Sequence, residues 1–306
     1  MSPSLAASIT KAASLQTYTT IRFLVDRERV DDAYRAYAYF RWVDDVLDAP
    51  AGTGPERQAF LERQKSLLES CYRGQALRDT NLQENLLVEL TQGDREKNSG
   101  LQSYLRHMML VMDFDTRRRG RWISQVELNE YTRWLAVAVT EALHYFIGHD
   151  DFTPHDETRY LAVSAAHITH MLRDTCDDMQ AGYYNIPREV LDAQHIWPQE
   201  LHSAAYRAWV KSRVQLAHEY FAAGKAYFER VQNPRGRLAG FAYIGRFEWL
   251  LETIEREGYH LRPEYPERKS LGTGLRMGWL TLSSMLNLRG AAVPSQPIAS
   301  PRPGKL

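Results

Sequence analysis

Only two cysteines, Cys71 and Cys176, occur in 306 residues. That is too few for a disulfide framework and suits a reducing, cytoplasmic setting. An excess of either charge is also missing. Lys+Arg and Asp+Glu both number 38, so no bulk field draws the chain to nucleic acid, and no nucleic-acid partner is expected. No apolar run approaches the ~20 residues needed to span a bilayer. Met1 to Ala13 lacks a basic head followed by an apolar stretch, so no signal peptide is expected. A greasy substrate therefore has to be met from solution or by contact at a membrane surface. Strand signals are scarce too, with few Val/Ile-rich alternating runs bounded by turns.

What the chain does have is helical periodicity. Hydrophobic residues make up 44% of it and charged residues 25%, enough to bury a sizeable core. Apolar side chains recur every three or four positions, as in Tyr34, Tyr37, Val43 and Leu47, or in Trp134, Val137, Ala138, Leu143 and Ile147. Breaks fall at Ala49-Pro50-Ala51-Gly52, Gly93-Asp94, Gly120, Gly148-His149-Asp150, Pro187, Pro198 and Asn233-Pro234. The pattern predicts an all-α bundle of long helices in a single domain, residues 1–290. Residues 291–306, rich in Pro, Ser and Gly, are expected to be a disordered tail. The run Arg117-Arg118-Arg119 reads first as a solvated helix end and second as a patch that guides diphosphate.

Two segments carry chemistry. In Tyr37 to Asp48, a helix places Asp44 and Asp48 on one face with Arg41 beside them, and turns Asp45 roughly 100° away. In His167 to Asp178, Asp174 and Asp178 again share a face, and His167 and His170 extend that stripe. A solvated acidic face is the plain reading of either pair alone. The flanks argue otherwise, because Phe40, Val43 and Leu47 surround one pair and Ile168, Met171 and Leu172 the other. Two acidic pairs facing each other across a bundle make a hard-oxygen site that suits Mg²⁺, with Mn²⁺ as a substitute, bridging to phosphate oxygens. Arg41 and Arg173 beside the pairs suit the same oxygens. On this reading the metal ligands are Asp44, Asp48, Asp174 and Asp178.

At these residues the chain resembles the squalene/phytoene synthase family. Arg41 to Asp48 is similar to the family's Arg-x-x-Asp-Asp-x-x-Asp helix. Leu172-Arg173-Asp174 through Asp178, then Gly182 and Pro187, resembles its second motif, and 130 residues separate Asp44 from Asp174. Thr17-Tyr18 matches an N-terminal Ser-Phe element whose hydroxyl meets diphosphate. Asp113 and Tyr131 fall where the family has an Asp and a Tyr on central helices, and Tyr243 and Gly258-Tyr259 resemble its late helical region. The resemblance spans about residues 8 to 285. It implies a prenyltransferase that condenses two prenyl diphosphates, farnesyl or geranylgeranyl, head to head through a cyclopropyl diphosphate to a squalene- or phytoene-like product. Asp44, Asp48, Asp174, Asp178, Arg41 and Arg173 would act in catalysis. Thr17, Tyr37, His167, His170 and Tyr243 would bind substrate, and the use of NADPH stays open. Tyr37, Phe40, Trp134, Tyr145 and Phe146 are candidate pocket walls, with plain core packing as the alternative.

The chain departs from the family pattern in four places. His167 and His170 stand where the family has Gln and Asn. The Gly-Arg-x-Tyr-Leu-Pro turn reads Gly182-Tyr183-Tyr184-Asn185-Ile186-Pro187, so an Arg and a Tyr are missing. The first Ser of the N-terminal element is Leu15. A small-residue stretch becomes Leu135-Ala136-Val137-Ala138-Val139-Thr140. A class I terpene cyclase acting on one prenyl diphosphate is therefore an alternative, since Asp44-Asp45-Val46-Leu47-Asp48 is also a literal Asp-Asp-x-x-Asp. A di-metal oxidase is another, built on Glu141, His144, His167 and His170.

Overall fold

The computed structural model describes residues 4–49, 52–75 and 79–265. The expected tail and the last part of the expected domain lie outside these residues. Every regular element among the described residues is helical: α1 (Leu5–Ala13), α2 (Leu15–Leu24), α3 (Val30–Asp48), α4 (Gly54–Tyr72), α5 (Leu82–Gly93), α6 (Gly100–Arg118), α7 (Gln125–Phe146), α8 (Leu161–Gln180), α9 (Arg188–Gln194), α10 (Ala204–Arg230) and α11 (Pro234–Arg256), with 3₁₀ turns at Arg27–Arg29 and Glu157–Tyr160. The all-α expectation holds.

Local chemistry starts these helices. Thr53 with Glu56, Asn81 with Glu84, and Ser124 with Glu127 form reciprocal capping boxes at α4, α5 and α7. Pro234 begins α11 and Asn233 caps it. Gly148 ends the α7 segment at φ +72°, and a Cβ there would lie 2.5 Å from the Asn233 side chain. Its N–H donates to Asp26 Oδ2 at 2.8 Å, which ties the α7 exit to the start of α3.

Burial then assembles the bundle. One core cluster joins α1, α3, α4, α5 and α6, and a second joins α8, α9, α10 and α11. A third, with Val111, Phe114, Tyr131 and Met171, fills the space where α6, α7 and α8 meet. Leu87, Leu90, Leu101 and Leu105 are wholly buried, each contributing about 1.5–3 kcal/mol. A buried polar chain pins α3, α4 and α5 together. Tyr39 donates to Gln64 at 3.0 Å, Gln64 donates to Glu84 at 2.9 Å, and Arg63 donates to Glu84 at 2.7 Å and 2.8 Å. The Arg63 bonds hold the Glu84 carboxyl down at about 2. Gly224 lets α10 approach α8 closely, because a Cβ there would sit 2.7 Å from Ala162 Cβ. No helix of the described residues is long and apolar enough to cross a membrane.

Candidate active site

Asp48 ends the last turn of α3 one turn after Asp44, and Asp178 lies in the last turn of α8 one turn after Asp174. Neither last turn carries a basic residue. Helix C-termini are negative, so carboxylates there cost stability instead of adding it. Two helices that break this rule in the same way point to function rather than to folding.

The four aspartates line one cavity of about 310 Å³ between α3, α6, α7 and α8, together with His167 and His170. Burial, with Asp48 adding to it, pushes the Asp44 carboxyl up to about 6. Burial likewise pushes Asp178 up to about 6, with Asp174 adding and the Asn185 bond opposing. Carboxylates held in this way gain most from a hard cation. Among the described residues no three metal-capable side chains cluster into a ready-made metal site. The donor set fits Mg²⁺, which takes one or two carboxylates and completes its shell with water and phosphate.

The cations of the site come from elsewhere than the sequence motifs suggest. Arg41 lies on the outer side of α3, paired with Asp45 and 3.4 Å from Asp44. Arg173 folds back on its neighbour Asp174 at 2.5 Å. Neither borders the cavity, whereas Arg57, Arg118 and Arg119 do. The solvated helix-end reading of Arg117 to Arg119 fails for Arg118, whose side chain is only 7% exposed. Burial is tolerable because Arg118 donates to Asp115 at 2.6 Å and to Asn185 at 2.8 Å. It also lies over the rings of Tyr131 and Tyr183 at 4.9 Å and 4.8 Å.

Asp115, not Asp113, is the α6 carboxylate that faces the cavity. It accepts the Tyr131 hydroxyl at 2.9 Å. Asp113 points away toward Lys65 at 2.9 Å and Arg117. No sequence spacing links Arg57 or Asp115 to the two motifs, whereas Asn185 stands within the second motif's closing turn. The near-match at Asp113, two residues from Asp115, was the available signal, and the helical turn decides between them.

The remaining assignments separate. Thr17 donates to Ser14 at 2.9 Å on α2, and Tyr37 and Tyr243 pack against the core clusters; none of the three borders the aspartate cavity. The five expected aromatic walls are absent from it as well. Phe40, Tyr145 and Phe146 are core residues, and Trp134 packs edge-on to Phe114 at 6.0 Å. The apolar walls are instead Leu47, Val111, Met112, Leu135 and Met171. His167 is 5% exposed, edge-on to Tyr131 at 4.8 Å, and its Nε2 has no hydrogen-bond partner among the described residues. Burial, together with the nearby His170 and Arg118, pulls its pKa down to about 3, so the ring is neutral. His170 stands edge-on to Phe247 at 4.6 Å.

A squalene/phytoene synthase family model matches residues 10–272. The chain belongs to the squalene/phytoene synthase family. It is a prenyltransferase on the family's all-α fold. Squalene synthase HpnC from Alicyclobacillus acidocaldarius is 20% identical, with a TM-score of 0.69 over 84% of this chain and 94% of that one. A ligand-bound dehydrosqualene synthase is 17% identical, with a TM-score of 0.68 over 94% and 96%. No curated protein matches the sequence. Family membership displaces the di-metal oxidase reading, and the geometry explains why its Glu141–His144 pair misled. Glu141 is engaged by Arg159 at 2.8 Å and Tyr160 at 2.9 Å, and His144 Nε2 shares a hydrogen bond with Tyr227 at 2.8 Å.

Proposed function

We propose that the chain condenses two prenyl diphosphates head to head, through a cyclopropyl diphosphate, to a squalene- or phytoene-like hydrocarbon with release of diphosphate. The observation that carries this reading is the meeting of both acidic pairs, from helices far apart in sequence, at one cavity with a buried arginine. Asp44, Asp48, Asp174 and Asp178 would hold Mg²⁺, or Mn²⁺ in its place. Bound there, the metal supplies the Lewis-acid charge that a departing diphosphate requires. Arg118 adds a fixed positive charge whose orientation Asp115 and Asn185 set in advance. The orphan Nε2 of neutral His167 is a polar atom that a bound substrate would satisfy. Leu47, Val111, Met112, Leu135 and Met171 keep water from an allylic cation.

A second reading, ionisation and cyclisation of a single prenyl diphosphate, draws on the cavity's volume. About 310 Å³ is near the lower bound for small-molecule sites, and Val137 and Thr140 are both buried within the stretch where the family pattern has small residues. One experiment separates the two. Purified protein is incubated with farnesyl or geranylgeranyl diphosphate and Mg²⁺, with and without NADPH, and the products are weighed by mass spectrometry. Hydrocarbons of two joined chains are expected. Products of one chain only would transfer the assignment to the cyclase.

A further inference from the structure

A second cavity, of about 760 Å³, lies back to back with the aspartate cavity. On α8, Ser164 and Ile168 face it, while His167, His170 and Met171 face the aspartates. On α7, Thr132, Arg133 and Ala136 face it, while Tyr131 and Leu135 face the other way. Arg213, Leu216 and Tyr220 of α10 close the far wall. Its size suits a drug-sized ligand, and nothing in the proposed reaction uses it.

The charges around this cavity do not balance. Arg159 is consumed by Glu141, Thr153 and Tyr227. Asp156 is consumed by Thr158 and Arg230. Arg213 and Arg133 are left with no hydrogen bond or ion pair to any described residue. The exposed Glu157 is the one lining carboxylate without such a partner. Arg133 is exposed, but Arg213 is partly buried beside Ile168, Leu216 and Tyr220. Burial pulls the Arg213 pKa below its ordinary value, with only the Tyr220 hydroxyl opposing. A guanidinium held partly out of water beside apolar side chains loses hydration, and a bound anion offsets that loss. Arginine's fork matches phosphate and carboxylate oxygens.

We propose that this cavity is an accessory site for a small amphipathic anion, with its phosphate or carboxylate head on Arg213 and Arg133 and its apolar tail against Ile168, Leu216 and Tyr220. The site is separate from the aspartate cavity and does not depend on the reaction assigned to it. Isothermal titration with decyl phosphate, below its micelle-forming concentration and with a chelator present, tests the idea on the full chain. Saturable binding of one molecule is expected. Arg213→Met should weaken it at least tenfold, Arg133→Gln about threefold, and Asp48→Asn should leave it unchanged. Decanoate in place of decyl phosphate separates carboxylate from phosphate recognition, and loss of either one's binding in Arg213→Met supports the site. Unliganded Arg213→Met should melt no lower than wild type, because methionine fills the same apolar wall without an unpaired charge. Wild-type affinity in Arg213→Met, or decanol binding as tightly as decyl phosphate, overturns the proposal. So does loss of binding in Asp48→Asn. Should Arg213→Met fail to fold, unchanged affinity in Arg133→Gln overturns it equally.

Discussion

Arg118 donates from Nη1 to Oδ1 of Asn185 at 2.8 Å, joining the end of α6 to a loop 67 residues downstream. The other end of the same amide donates to Asp178 Oδ2 at 2.6 Å. One side chain thus fixes both a buried cation and one carboxylate of the second acidic pair. Asn185→Ala removes both bonds while leaving Arg118 with Asp115. The expected outcome is a loss of about 1–3 kcal/mol in stability and a fall of at least about tenfold in turnover, as for groups that orient a metal ligand, the role proposed for Asp178. Turnover equal to wild type, measured at saturating substrate and Mg²⁺, would sink the orienting role.

Asp48→Ala or Asp174→Ala should abolish turnover, by about a hundredfold or more, with folding intact. Each substitution deletes a proposed metal ligand yet relieves repulsion in an acidic cluster. For Asp48 it also removes a negative charge from a helix C-terminus. Chelation of divalent metal should silence the wild type, and added Mg²⁺ should restore it. The measurement pairs thermal melting with product formation. Full activity in either variant, or in chelator, contradicts the metal assignment.

His167 and His170 line the cavity where the family pattern has amide side chains. A neutral imidazole can donate to diphosphate as an amide does, and unlike an amide it can accept a proton from a carbocation. His167→Gln, His170→Asn and the double variant should therefore alter the product ratio at equal conversion, read by mass spectrometry. An identical product distribution in all three shows that the histidines do not direct the chemistry.

His144 makes a prediction about acid stability. Burial, with the Arg159 charge adding to it, pulls its pKa down to about 3, against about 6.5 in an unfolded chain. Between those values the unfolded chain holds a proton that the folded one does not, so stability falls as pH drops through that window. The slope approaches about 1.4 kcal/mol per pH unit. Asp44 and Asp178, with raised pKa values, act in the opposite sense, so a variant is needed to isolate His144. Chemical denaturation of wild type and His144→Gln at pH 6.5 and pH 5 should show wild type losing about 2 kcal/mol more. Parallel losses would mean that His144 titrates normally.

Much of the site's acidic half was legible in the chain. Asp44 with Asp48 and Asp174 with Asp178 follow from the period of a helix, because residues four apart share a face whatever the helix packs against. The basic half was not. Arg41 and Arg173 satisfy the same spacing and still turn to Asp45 and Asp174, since an arginine has enough rotatable bonds to pair with whichever carboxylate is nearest. Arg57, Arg118 and Asp115 reach the cavity by the way α4 and α6 pack beside α3 and α8, and no local pattern encodes that. The aromatic walls were misplaced for a related reason. Periodicity identifies Phe40, Tyr145 and Phe146 as buried but does not separate a core from a cavity lining.

The sequence by itself determined the all-α class, the helix starts set by residues such as Asn81 and Ser124, and the two acidic stripes, because these depend on interactions within a few residues along the chain. The tertiary structure alone decided that both stripes share one cavity, that Arg118 rather than Arg41 is its buried cation, and that Arg213 faces a second cavity without a counter-ion among the described residues. Those outcomes depend on how α6, α7, α8 and α10 pack, which the summed burial of the whole core settles and no single segment specifies.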